Sequence, residues 1–135
     1  NYNIFYALPP DSYGQYFANM DVSIAPLQMN NFNDSKSDIK VAEASRYRIP
    51  LVASNVGCYN DVIENGKNGY LIDPDAPKTE WVRILSKLVK DPKHRIEIGN
   101  NLYEKTKDLY DGRKNAKARY DLYLRAMKDL QWKIE

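Results

Sequence analysis

Asn33-Asp34-Ser35-Lys36-Ser37-Asp38-Ile39-Lys40-Val41-Ala42-Glu43-Ala44-Ser45-Arg46-Tyr47-Arg48-Ile49-Pro50-Leu51-Val52-Ala53-Ser54 reads as loop, helix and strand, and it runs on into Asn55-Val56-Gly57. Ser35 and Ser37 both suit a helix N-cap, and Asp38 suits the positive end of the helix dipole. A helix is expected over residues 37–47, built mostly of small residues and carrying one acid, Glu43. Pro50 blocks its continuation, and Leu51-Val52-Ala53 reads as a short core strand. This is α/β order.

The flanking sequence repeats that alternation. Upstream, residues 3–8 form a strand-like run stopped by Pro9-Pro10. Asp11 or Ser12 can cap a short helix with Tyr13, Tyr16, Phe17 and Met20 at helical spacing. Residues 21–27 give a strand with Val22 and Ile24 buried, ended at Pro26, and 28–34 have the turn chemistry of a loop. Downstream, Asn60 or Asp61 starts a short helical turn through Ile63. The glycines of 64–69 sit beside asparagines and predict positive-φ turns. Tyr70-Leu71-Ile72 reads as a last strand, ended by Asp73-Pro74.

From Pro77 the chain is expected to be helical. Trp81, Leu85, Leu88 and Val89 form one stripe, and Asp91-Pro92 restarts a helix holding Ile96, Leu102 and Leu109. After Asp111-Gly112 a helix places Ala116, Tyr120, Tyr123, Met127 and Leu130 on one face. No repeat or linker interrupts the chain, so residues 1–135 are expected to be one domain, with 110–135 its final helix. The class is α/β: a small parallel sheet of about four strands with right-handed crossovers, flanked by helices, with a helical C-terminal third. In such a sheet a ligand belongs at the carboxyl ends of the strands, in the loops after Leu27, Ser54 and Leu8.

Composition narrows the function mainly by exclusion. With 43% hydrophobic and 28% charged residues and a net charge of +2, nothing favours nucleic acid as a partner. The single cysteine, Cys58, rules out an intrachain disulfide and suits a reducing, cytoplasmic compartment. No run approaches the roughly 20 apolar residues of a membrane span, and the N-terminus has no signal-peptide pattern. The eleven tyrosines, Tyr103, Tyr110, Tyr120 and Tyr123 among them, are expected at half-buried positions with wet hydroxyls.

Few residues here can carry chemistry. The start of the central helix offers unpaired amides, two hydroxyls (Ser35, Ser37) and a cation (Lys36), which suit a diphosphate; the plainer reading is a capped surface helix. Glu43, between Ala42 and Ala44, can accept hydrogen bonds from adjacent sugar hydroxyls, or simply pair with Lys40. Gly57-Cys58-Tyr59 is either a close-approach loop or a plain turn. His94, the only histidine, is expected to face water, so neither a Cys–His nor a Ser-His-Asp site is expected. No His/Cys cluster suggests a metal.

Four blocks in order carry a resemblance: Asp21-Val22-Ser23-Ile24-Ala25-Pro26, Ser37-Asp38-Ile39-Lys40-Val41-Ala42-Glu43-Ala44, Ile49-Pro50-Leu51-Val52-Ala53-Ser54-Asn55-Val56-Gly57, and Asn65-Gly66-Lys67-Asn68-Gly69-Tyr70-Leu71-Ile72. Together they resemble the C-terminal, donor-binding domain of group-1 retaining glycosyltransferases of the GT-B fold, over about residues 6–102. The resemblance implies a Rossmann-like domain facing a cleft that holds a nucleoside diphosphate sugar. It matches Glu43 to the second acid of the family's paired-glutamate motif, implying a ribose contact. Ser37, Asp38 and Ile39 match the segment facing diphosphate and sugar, and Gly57 and Asp61 match the next loop and short helix. The first motif acid would fall at Ser35, with Asp34 adjacent but out of register. Arg48 stands where the family commonly has a helix-ending glycine, so the helix is expected to end differently here.

The resemblance further implies hexose transfer to a hydroxyl acceptor in polysaccharide or glycan synthesis, with no cofactor beyond the donor substrate and no required metal. It implies a longer parent with a preceding acceptor domain, and leaves room for association of that parent with a membrane surface. A cleft with one wall lacks orientation and water exclusion, so this chain alone is expected to be inactive. Ser35 in place of an acid also leaves open a non-catalytic binding or assembly module. The incomplete sheet is expected to make the isolated chain self-associate, by its open edge or by exchanging the last helix.

Overall fold

The computed structural model describes residues 2, 4, 6–9 and 11–131. Three parallel strands, β1 (Ser23–Ala25), β2 (Leu51–Ser54) and β3 (Tyr70–Ile72), pair in that order. Ser23 lies opposite Leu51, and Val52 opposite Tyr70. The helices are α1 (Asn31–Asp34), α2 (Ile39–Arg46), α3 (Lys78–Lys90), α4 (Pro92–Thr106) and α5 (Gly112–Gln131), with 3-10 turns at Tyr13–Asn19 and Gly57–Asp61. This is the α/β class read from the alternation, with three strands among the described residues where about four were expected. Of the anticipated first strand at 3–8, Ile4, Tyr6, Ala7 and Leu8 carry no strand pairing, and Asn3 and Phe5 lie outside the described residues.

β2 is the keystone because both of its faces are covered. Leu51 and Ala53 turn toward Val41 and Ala44 of α2 and Leu102 of α4, while Val52 turns toward Ile84 and Leu88 of α3 and Ile98 of α4. Leu51, Val52 and Ala53 are fully buried, as a central parallel strand requires. β1 is an edge, and Ile24, expected in the core, is 54% exposed. Strand alternation and edge position together put it there.

Several boundaries differ from the periodicity reading. The expected loop at 28–34 contains the single turn α1, because the Asn30 side chain caps it by accepting from the Asn33 amide at 2.9 Å. In α3 the buried apolar pair is Ile84 and Leu88, with Val89 exposed; in α4 it is Ile98 and Leu102, with Ile96 exposed, and Leu109, expected in this helix, lies exposed beyond its end. The turn expected from Asn60 or Asp61 instead ends at Asp61. Gly66 takes a positive φ, whereas Gly69 does not. Tyr120, Tyr123, Met127 and Leu130 of α5 are all exposed.

The end of α2 overturns the expectation of a different helix stop. Arg48 adopts φ 55, the left-handed conformation ordinarily left to glycine. Its amide bonds to the Ser45 carbonyl at 2.9 Å, and the Ile49 amide to the Ala44 carbonyl at 2.9 Å. An L-residue there costs roughly 1–2 kcal/mol. The side chain offsets part of that: the guanidinium lies 3.8 Å from the centre of the Tyr103 ring, and Nη1 donates to Asn100 Oδ1 at 3.1 Å. Gly99 lets α4 come this close, since a β-carbon there would stand 1.9 Å from the Arg48 carbonyl oxygen.

Candidate functional site

α2 starts later than its polar lead-in suggests. Asp38 holds the N-cap position, and neither Ser35 nor Ser37 caps the helix. Ser35 instead closes α1, its hydroxyl donating to the Asn31 carbonyl at 2.9 Å. Asp38 does not cap with its side chain either; its carboxylate accepts a hydrogen bond from the Tyr110 hydroxyl. The Val41 and Ala42 amides bond to the Asp38 carbonyl. The amides of Ile39 and Lys40 have no acceptor among the described residues. Two backbone donors therefore stand open at the positive end of a helix.

Ile39 and Lys40 border a cavity of about 320 Å³ at the carboxyl end of β1, with Ala25, Leu27, Lys36 and Ser37 also in its wall. Ser54, at the end of β2, accepts from the Leu27 amide at 2.8 Å and so ties the loop after β1 to the strand beside it. The Glu43 carboxylate is a second-turn group with a side chain only 20% exposed, bound to the Lys40 ammonium at 2.7 Å. Burial works against the Lys40 charge, but the hydrogen bond and charge of Glu43 outweigh it and hold the ammonium above its ordinary pKa. Of the two sequence readings of Glu43 the structure shows the plainer one: it pairs with Lys40, and Lys40, not Glu43, lines the cavity.

The loop after β2 closes on the same place. Gly57 has φ +55, and a β-carbon there would stand 2.8 Å from the Asp34 carbonyl oxygen, so only glycine lets this loop rest on the last residue of α1. Burial, followed by the charges of Asp38, Asp61 and Asp34, pushes the Cys58 thiol above its ordinary pKa. That opposes a thiolate nucleophile. Asp61 itself is exposed at the end of its turn. Of the expected site residues, Ser37 and Ile39 line the cavity with Lys40, while Asp38 is turned to Tyr110 and Gly57 rests against Asp34. Ser35 is engaged elsewhere, and Glu43 reaches the cavity through its lysine.

His94 does not face water as expected. Its Nε2 is 2.7 Å from the Tyr70 hydroxyl, and Lys87 Nζ donates to that hydroxyl at 3.2 Å. This cluster fastens α3 and α4 to β3, away from the cavity. Tyr110 is the residue that sequence reasoning missed. Its hydroxyl was expected in water, but burial and the hydrogen bond to Asp38 push its pKa well up. The two lie 72 positions apart, so no local pattern links them.

A larger cavity of about 660 Å³ lies between α2 and the α4–α5 connection, lined in part by Arg46, Tyr103, Lys107 and Arg113. It contains none of the expected site residues. Among the described residues no group of three or more His, Cys, Asp or Glu side chains could hold a metal ion, and no helix is long and apolar enough to cross a membrane.

A family model described as glycosyl transferases group 1 matches residues 3–105. A D-inositol 3-phosphate glycosyltransferase of Nocardioides sp. is 27% identical over 101 residues, covering 75% of this chain and 21% of that protein. The solved sucrose-phosphate synthase of Thermosynechococcus elongatus superposes with TM-score 0.72 at 18% identity, over 84% of this chain and 27% of that one. A HepE protein of Anabaena, solved with UDP-glucose, superposes with TM-score 0.60 at 21% identity, over 81% and 29%. At those identities the likeness of the two solved structures is one of fold. The chain spans 10% to 50% of the length of the first relatives it matches.

Proposed function

The chain belongs to the group 1 glycosyl transferases, and from that premise we propose that it is the donor-side part of an enzyme that moves a hexose from a nucleoside diphosphate sugar to a hydroxyl acceptor. The observation that carries this is the start of α2, where the Ile39 and Lys40 amides are open and Lys36 and Lys40 line the adjoining cavity. An anionic diphosphate suits such a place, because backbone donors and positive charge there stabilise it as it departs. In this reading Glu43, one turn further on and paired with Lys40, exchanges that lysine for the hydroxyls of a ribose. The HepE relative was solved with UDP-glucose and with UDP, which supports a uridine nucleotide as the first donor to try. We assign polysaccharide or glycan synthesis to the parent on the same premise.

Titration calorimetry with UDP- and GDP-sugars tests the reading. Saturable binding of one sugar nucleotide, weakened by Glu43→Gln, is the expected result. Silence across the panel, in this chain and in the parent enzyme, would refute it. A non-catalytic binding module is the second reading, favoured by Ser35, whose hydroxyl is committed to Asn31 where the family has an acid. It is distinguished by donor binding without transfer in the complete parent.

A further inference from the structure

We propose that Tyr110 is a positioning residue for the donor site: by holding the Asp38 carboxylate, it keeps the start of α2 open for an incoming diphosphate. The inference rests on the donor reading above and adds to it a residue from the far end of the chain. An aspartate just before a helix normally turns its carboxylate onto the helix's own second or third amide. This chain does so elsewhere. Asp91 accepts from the His94 amide at 3.0 Å, and Asp111 accepts from the Arg113 amide at 2.9 Å. Asp38 occupies the equivalent position before α2 and does neither.

The cause is visible in two places. The Tyr110 hydroxyl donates to Asp38 Oδ2. The ring of Tyr110 is packed against the core cluster that holds Val41, Ala44 and Leu102, so the hydroxyl has a fixed position. The Asp38 backbone, at φ −81 and ψ 26, also departs from the extended form of the capping Asn30, at φ −162 and ψ 162. The acid is thus held off the helix axis by a side chain from the α4–α5 connection.

Two consequences follow for a diphosphate. The Ile39 and Lys40 amides stay free to donate, and a carboxylate charge is kept out of the place a phosphate would take. Removing the Tyr110 hydroxyl releases Asp38 to turn back toward the extended backbone of a capping residue and cap its own helix. The helix then loses nothing in stability, but the anion meets an occupied and negatively charged helix start. A residue that merely supported the fold would show the opposite: lower stability, with affinity falling only as the fold loosens.

The test is Tyr110→Phe beside Tyr110→Phe/Asp38→Ala, read by amide hydrogen exchange at Lys40 and by UDP binding. We expect exchange at Lys40 to slow about fivefold in the single variant, the equivalent of a cap of about 1 kcal/mol, with an unchanged melting temperature. UDP affinity should fall at least about fivefold in the single variant and recover in the double one. Unchanged exchange at Lys40, or a double variant that binds no better than the single, would overturn the proposal. If the wild-type chain takes up no UDP, the donor reading fails, while the exchange comparison still decides whether Tyr110 restrains Asp38.

Discussion

Adding one methyl group at Gly99 tests the packing that fixes α2 in place. A β-carbon there would lie 1.9 Å from the Arg48 carbonyl oxygen, 2.6 Å from its carbon and 3.3 Å from the Ile49 amide nitrogen, where ordinary contact begins at 3.4 Å. All three are backbone atoms, so no rotamer change relieves the clash. α4 must therefore back away by about 1.5 Å, which forfeits much of the dispersion energy of atoms now in contact. The loss falls on Ile98 and Leu102, both at most 1% exposed, and on the buried hydrogen bond between Thr106 and Ser45 of α2. Overpacking of a tight core typically costs 1–3 kcal/mol, and with a backbone-on-backbone clash Gly99→Ala is expected at about 3 kcal/mol. For a chain of this size that lowers the melting temperature by roughly 10 °C. Urea unfolding of Gly99→Ala and Gly112→Ala side by side is the assay. Gly112 has nothing within 4 Å of an added β-carbon, so its variant should match or slightly exceed the wild type. A Gly99→Ala protein within about 0.5 kcal/mol of wild type, the range of ordinary surface changes, would show that α4 does not rest on Arg48 as described.

Other outcomes follow from the same geometry. Arg48→Gly removes a left-handed strain of about 1–2 kcal/mol but also loses the Tyr103 and Asn100 contacts and adds chain entropy, so urea unfolding should place it within about 1 kcal/mol of wild type. Tyr70→Phe strips the hydroxyl shared by His94 and Lys87, and thermal unfolding should show a loss of about 1 kcal/mol. Hydrogen bonds from the Lys105 and Lys67 ammonium groups hold the Glu64 carboxyl below the usual glutamate range. A carboxyl whose folded pKa is depressed lends stability above its unfolded pKa and loses it as pH falls through the folded one. Unfolding profiles should therefore weaken below about pH 4.5, with a shallower acid limb in Glu64→Gln. Cys58, with its thiol pushed up by burial and neighbouring acids, should react with iodoacetamide more slowly at neutral pH than a free cysteine in a peptide.

The α/β alternation was readable because β-strand and helix periods differ and because Pro50 separates α2 from β2 cleanly. β2 in particular announces itself as three apolar residues in a row, and it is the strand covered on both sides. Edge effects were not readable: Ile24 looks like a core residue in any window, and only the order of strands leaves it half in water. The stripes of α3 and α4 were off by a residue or two because Val89 and Ile96 are apolar yet sit on outward faces, and because α4 ends at Thr106, before Leu109. What was legible near the cavity is that Ser37 and Asp38 precede a helix, Ile39 begins it and Gly57 follows a strand, because element ends carry local signals. The Arg48 conformation was not, since it depends on Gly99 and Tyr103 half a chain away. Tyr110 was hidden for the same reason.

The most direct measurement is an amide-shift map of the isotopically labelled chain under titration with UDP. The largest changes should fall at Ile39 and Lys40, with smaller ones at Leu27 and Gly57, and Glu43→Gln should weaken the response without relocating it. Changes centred instead on Tyr103, Lys107 and Arg113, or none at millimolar UDP, would contradict a donor seated on the start of α2.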